Sequence, residues 1–131
     1  MKKFLVFFAV LTPILVLNSC LFLGDGSDEF IKESANNKHS KKAVLFLREA
    51  GATVANSYQV SITDYKTEFD STAVGNTFTV DGDHGKANLY PGAIDFKWLS
   101  EDTVEISYDK NLRTFIQENH IDGTAIIYKT K

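Results

Sequence analysis

Apolar and polar positions divide the chain into three unlike parts. From Phe4 to Leu17 the residues are apolar, interrupted only by Thr12 and Pro13. From Leu21 to about Ser40 the composition turns polar, with Gly24-Asp25-Gly26-Ser27-Asp28-Glu29 followed by Asn36-Asn37-Lys38. Beyond that, short segments alternate apolar with polar residues between turn residues, the period of a strand with one buried face. Ala43 to Leu47 is instead a continuous apolar run between Lys42 and Arg48, as expected for a central strand covered on both sides. Gly51-Ala52 breaks the pattern. Val54 to Ile62 resumes it, with Tyr58, Val60 and Ile62 in one phase and Gln59 and Ser61 in the other, so the two runs predict a hairpin.

Thr63 to Asn76 is polar and predicts a loop or an irregular edge. Phe78 and Val80 alternate with Thr77 and Thr79 in a short strand that ends at Asp81-Gly82-Asp83-His84-Gly85, a turn signal because glycine accepts positive φ. After Pro91-Gly92, Ile94, Phe96 and Trp98 alternate with Asp95, Lys97 and Leu99. Ser100-Glu101-Asp102 then leads into Val104, Ile106 and Tyr108, which predicts a second hairpin. Aromatic and β-branched partners across it place Ile94, Phe96 and Trp98 beside Val104 and Ile106 in one core layer. Leu112 to Gln117 fits a helix or a strand; Asp122-Gly123 marks a turn, and Thr124 to Tyr128 a closing strand. The pattern predicts an all-β domain of six to seven strands, a small antiparallel sheet, sandwich-like or curled, over residues 41–131. Residues 20–40 read as a flexible tether, since Gly, Ser and repelling charges keep a segment extended and solvated.

The opening segment changes what compartment the fold belongs to. Its fourteen residues fall short of the about twenty that a spanning helix needs, and match the apolar core of a signal peptide. Lys2 and Lys3 supply the positive leading region, and Ser19 a small residue at a cleavable end. On the leader alone, a short anchor and a plain secretory signal both remain open. Loss of residues 1–19 leaves 112 residues, one domain's worth, and moves the net charge from −3 to −5. That balance argues against a general nucleic-acid binder, which needs a basic surface to displace counterions from phosphate.

The sole cysteine stands directly after the leader, and Leu17-Asn18-Ser19-Cys20 resembles the lipobox of bacterial lipoproteins. Asn18 departs from the small residue often found at its position. The resemblance implies cleavage between Ser19 and Cys20, a diacylglycerol thioether on Cys20, and acylation of the new amino terminus by a fatty acid such as palmitate. Several acyl chains hold a protein stably where one holds it weakly, at about 0.8 kcal/mol per buried methylene. The membrane lipid is then a partner through Cys20, and the place is the bacterial cell envelope, on the inner or outer membrane. Further on, Lys42-Ala43-Val44-Leu45-Phe46, Gly51-Ala52-Thr53, Ser57 to Ile62, Phe96-Lys97-Trp98-Leu99-Ser100 and Asp102 to Ile106 resemble a group of small bacterial exported proteins. That group has no established activity, so it implies a domain boundary and nothing about chemistry.

Candidate chemistry in the domain is sparse. Asp81, Asp83 and His84 form the most ligand-like cluster, yet only the two aspartates keep the alternating oxygen spacing of a calcium loop before Gly85 and Lys86 break it, and a solvated hairpin turn is the plainer reading. Asp25 to Glu29 is acidic but sits in the tether. His39, His84 and His120 share no metal-binding spacing. No G-x-S-x-G elbow and no glycine-rich phosphate loop is present. With Cys20 committed to lipid, no thiol is left for a disulfide or a nucleophile. Lys38-His39-Ser40-Lys41-Lys42 fits either a patch for anionic headgroups or a charged flank that keeps a strand from pairing with other chains. Tyr58, Phe78, Phe96, Trp98 and Tyr108 fall on the inward phase of their strands and read as core before they read as a sugar platform.

These readings lead to an expected membrane-anchored, non-enzymatic module that binds a partner or serves the envelope's structure, without cofactor. An inhibitor or immunity-type protein that neutralises a basic partner is the alternative. An enzyme built from dispersed acids, with Asp81, Asp83 and His84 as its site, is the third reading.

Overall fold

The computed structural model of the protein describes residues 28–49 and 55–131. The leader, the Leu17-Asn18-Ser19-Cys20 junction and the Gly51-Ala52 break lie outside them. Nine strands form within the described residues: β1 (Asp28–Ala35), β2 (Lys41–Arg48), β3 (Ser57–Asp64), β4 (Phe78–Asp81), β5 (Ile94–Ser100), β6 (Thr103–Tyr108), β7 (Arg113–Gln117), β8 (His120–Ile121) and β9 (Thr124–Thr130). The domain is all-β, in two sheets. One has five strands in the order β1-β2-β3-β4-β7, the other four in the order β5-β6-β9-β8. Among the described residues no helix is long and apolar enough to cross a membrane.

The two hairpins expected from alternation are present. β2 pairs antiparallel with β3 from Lys41↔Asp64 to Arg48↔Ser57. In the β5–β6 hairpin Phe96 stands opposite Ile106, and Trp98 opposite Val104. Alternation is enforced because a one-residue slip would turn every apolar side chain to water. The inward phase of both sheets meets in one core: Leu45, Val60, Phe78 and Val80 from the larger sheet against Ile94, Val104, Ile106 and Ile126 from the smaller. Phe78, fully buried, lies between Tyr108 and Tyr128, its ring centroid 5.1 Å from each. Tyr58 and Phe78 belong to the core, and Phe96, Trp98 and Tyr108 pack against it.

Two expectations need correction and one open choice is resolved. The segment 28–35, read as tether, is an edge strand paired with β2 from Asp28↔Arg48 to Ala35↔Lys42, so the fold begins at Asp28 and not at 41. Its alternation is hidden because the register shifts between Phe30 and Lys32, a bulge that puts Ile31 and Lys32 on the core side in succession. Ile31 packs on the core while Phe30 stays on the outer face, against Phe69. The charges on Asp28-Glu29 and Lys32-Glu33 suit an edge strand that must not recruit another chain. Secondly, the ambiguous 112–117 segment is a strand, with Arg113 to Gln117 beside β4. Thirdly, the sheets are not wholly antiparallel: β9 runs parallel to β6 from Thr103↔Ala125 to Tyr108↔Thr130. A parallel pair needs a crossover. Here β7 provides it, since the chain leaves β6, adds a strand to the other sheet and returns through β8.

Side-chain ties close the β1–β5 side of the domain. Lys32 Nζ lies 2.8 Å from Asp95, the Trp98 indole donates to the Ser34 carbonyl at 2.9 Å, and the buried Asn36 amide donates to the Glu101 carbonyl at 2.9 Å. Lys131 and Lys32 together hold the Asp95 carboxyl below its usual range.

Candidate functional site

The structure gathers Asp81, Asp83 and His84 into one turn and adds a residue that the motif alone does not name. Asp81 closes β4, and its register partner is Arg113, the first residue of β7. Arg113 grips the buried Asp81 carboxylate with two parallel bonds, Nε to Oδ1 at 3.1 Å and Nη2 to Oδ2 at 2.7 Å. The Asp83 amide donates to Asp81 Oδ1 at 2.9 Å, folding the chain into a tight turn. Asp83, His84 and Gly85 then take φ of 48°, 58° and 84°. Gly82 has to be glycine for another reason, since a Cβ there would lie 2.3 Å from the Ala87 carbonyl oxygen. His84 Nε2 sits 3.2 Å from Arg113 Nη1. A guanidinium only donates, so this contact needs His84 unprotonated at Nε2.

The charges of that cluster are tied to one another. The Arg113 bonds hold the Asp81 carboxyl below its usual range, against the opposing effect of burial, and Asp81 in turn raises Arg113. A carboxylate tied to a guanidinium and an amide is a weak base and has little lone-pair capacity left for a metal. Among the described residues no three His, Cys, Asp or Glu side chains are grouped to hold an ion. The other two histidines lie on different elements, His39 in the β1–β2 turn against the Tyr65 ring and His120 on β8, 3.1 Å from the Thr124 carbonyl oxygen. Two lysines of the basic run are taken up: Lys41 bridges Asp64 and Asp122 at 2.6 and 3.0 Å, and Lys42 reaches Glu33 at 3.1 Å.

A second site lies on the outer face of the five-stranded sheet. The polar segment between β3 and β4, residues 65–77, folds back across β2 and β3 as a flap. Its anchors are polar and specific. Arg48 Nη2 donates to the Thr72 and Ala73 carbonyls at 3.2 and 3.1 Å, and the Asp28 amide donates to the Ser71 carbonyl at 3.0 Å. Arg48 also pairs with Asp28 through Nε at 2.8 Å, and the Asp28 side chain is wholly buried. That bond raises the Arg48 pKa. The Gly75 amide donates to Gln59 Oε1 at 2.7 Å, with the chains so close that a Cβ on Gly75 would come within 2.8 Å of Gln59 Cβ. Asn76 continues the ladder where β4 has not yet begun: the Ile62 amide donates to its Oδ1, and its Nδ2 donates to the Ile62 carbonyl, both at 2.9 Å.

Beneath the flap is a cavity of about 90 Å³. Val44 and Phe46 of β2 form its floor with Ser61 and Thr63 of β3; Phe69 and Ala73 belong to its cover. Phe69 packs against Phe46 at 5.6 Å and Phe30 at 5.7 Å. Glu68 and Asp70 flank Phe69 at the rim, and neither is ion-paired among the described residues. The Thr72 hydroxyl and amide hold the Asp70 carboxyl below its usual range, so it stays charged. The Thr63 hydroxyl is buried with no hydrogen-bond partner among the described residues. The signal for this site was the unbroken apolar run Ala43 to Leu47, which demands cover on both faces. What supplies the outer cover was not readable.

The fold and its sites therefore define an all-β, two-sheet domain with one tied polar turn and one roofed apolar cavity. No family model, no curated protein and no solved structure matches the chain.

Proposed function

We propose that the chain is a bacterial lipoprotein held to the cell envelope by acylated Cys20, with its β-domain acting as a non-enzymatic binding or envelope-structural module. The observation that carries this reading is the lone cysteine directly behind a short apolar leader, with only seven residues between it and the first strand at Asp28. Seven extended residues reach at most about 25 Å, so an anchor at Cys20 would hold the domain close to the bilayer. The tying of Asp81 by Arg113 gives the turn a fastening role in this reading and not a catalytic one. Growth with an alkyne fatty acid tests the anchor: wild type should carry the label and Cys20→Ser should not, and equal labelling would overturn the lipoprotein reading.

A second reading, an inhibitor or immunity-type protein that binds a basic partner, is favoured by the excess of acids left once Lys2 and Lys3 depart with the leader. Crosslinking in intact cells separates the two. The second demands one stoichiometric protein partner whose capture weakens as salt is raised.

A further inference from the structure

We infer that the cavity under the 65–77 flap is a docking site for a basic polypeptide segment, which inserts one aliphatic side chain between Val44, Phe46 and Phe69. This deepens the reading of the domain as a binding module and is independent of the lipid anchor. Size selects the inserted group. A volume of about 90 Å³ is well below the roughly 150 Å³ of an engineered apolar cavity that takes benzene, so it suits the about four carbons of a leucine side chain and not an aromatic ring.

Charge selects what flanks it. Glu68 and Asp70 lie either side of Phe69 at the rim, both without a cation among the described residues. Carboxylates in this arrangement draw a segment with lysine or arginine either side of its apolar residue, and repel an acidic one. A free molecule of four carbons has too few atoms to repay the freedom it loses on binding, whereas a segment adds contacts along the rim.

Saturation-transfer NMR of short peptides against the full chain in phosphatidylcholine nanodiscs, with empty nanodiscs as blank, tests this. Acetyl-Lys-Leu-Lys-amide should bind saturably with the strongest transfer to its leucine methyls. The Lys-Ala-Lys analogue should bind about tenfold weaker or worse, for the methylene groups it lacks. Glu68→Gln, an exposed change that leaves the core intact, should weaken the leucine peptide about threefold, as should raised salt. No saturable binding, equal binding of the leucine and alanine peptides, or equal binding of acetyl-Glu-Leu-Glu-amide overturns the site. A partner crosslinked in cells equally well by wild type and Glu68→Gln would keep the binding reading and remove this cavity from it.

Discussion

The two faces of the five-stranded sheet are covered in opposite ways. The inner face is closed by a second sheet and a continuous apolar layer in which Leu45, Val60, Phe78 and Val80 are fully buried. The outer face is closed by a polar loop that is tied by hydrogen bonds and leaves a cavity beneath it. Apolar burial is non-directional and stabilises in proportion to area, while polar ties stabilise little on net but fix geometry and are costly to break singly. The inner face therefore carries the stability, and the outer face carries a shape.

The sharpest way to expose that contrast is to remove one aromatic from each side. Phe78→Ala should cost about 4 kcal/mol in urea denaturation, because a large ring leaves a cavity among residues that cannot collapse onto it. Arg48→Ala comes next, at about 3 kcal/mol, since it strands the wholly buried Asp28 carboxylate and frees the flap from the carbonyls of Thr72 and Ala73. Amide exchange should then speed up across residues 65–77 and stay slow in β5 and β6. Phe69→Ala should cost only about 1 kcal/mol, as its ring is already partly in solvent. If Phe69→Ala matched Phe78→Ala, the distinction between the faces would fail.

The acid limb of the stability curve probes the tied turn. The Asp81 pKa is depressed in the fold, so its contribution is present above the ordinary aspartate range and is lost as pH falls through the lower folded value. Asp81→Asn should lower stability near neutrality and flatten this part of the acid dependence, measured as the denaturation midpoint from neutral pH downward. The smallest effect belongs to Thr63→Val, which replaces a partnerless hydroxyl by a methyl group. Its cost should lie within about 0.5 kcal/mol of zero or fall on the stabilising side.

What was legible in the sequence is whatever depends on strict alternation. Ile94-Asp95-Phe96-Lys97-Trp98 and Val104-Glu105-Ile106 declared their faces, and the hairpin between them follows. β1 was not legible because its bulge puts the successive Ile31 and Lys32 on one face and its charges resemble a tether. The candidate sites divide in the same way. Asp81, Asp83 and His84 are neighbours in sequence and so were seen together, but their partner Arg113 is fixed by strand order, which no local pattern encodes. The cavity draws on β2, β3 and a loop whose polar composition says nothing of the surface it lies on; only the apolar outer phase of β2, Val44 and Phe46, hinted that something must cover it.

The parallel pairing of β6 with β9 carries a consequence for the order of biosynthesis. β9, residues Thr124–Thr130, takes an interior place between β6 and β8, so the four-stranded sheet has a gap until those late residues are made. A chain emerging amino terminus first can pair β1 with β2 and β2 with β3 early, yet the smaller sheet waits on contacts closed late and over long separation. Such a domain resists premature closure. If the chain is exported as proposed, crossing a membrane as an open thread, late closure would keep it slack enough to move until most of it is through.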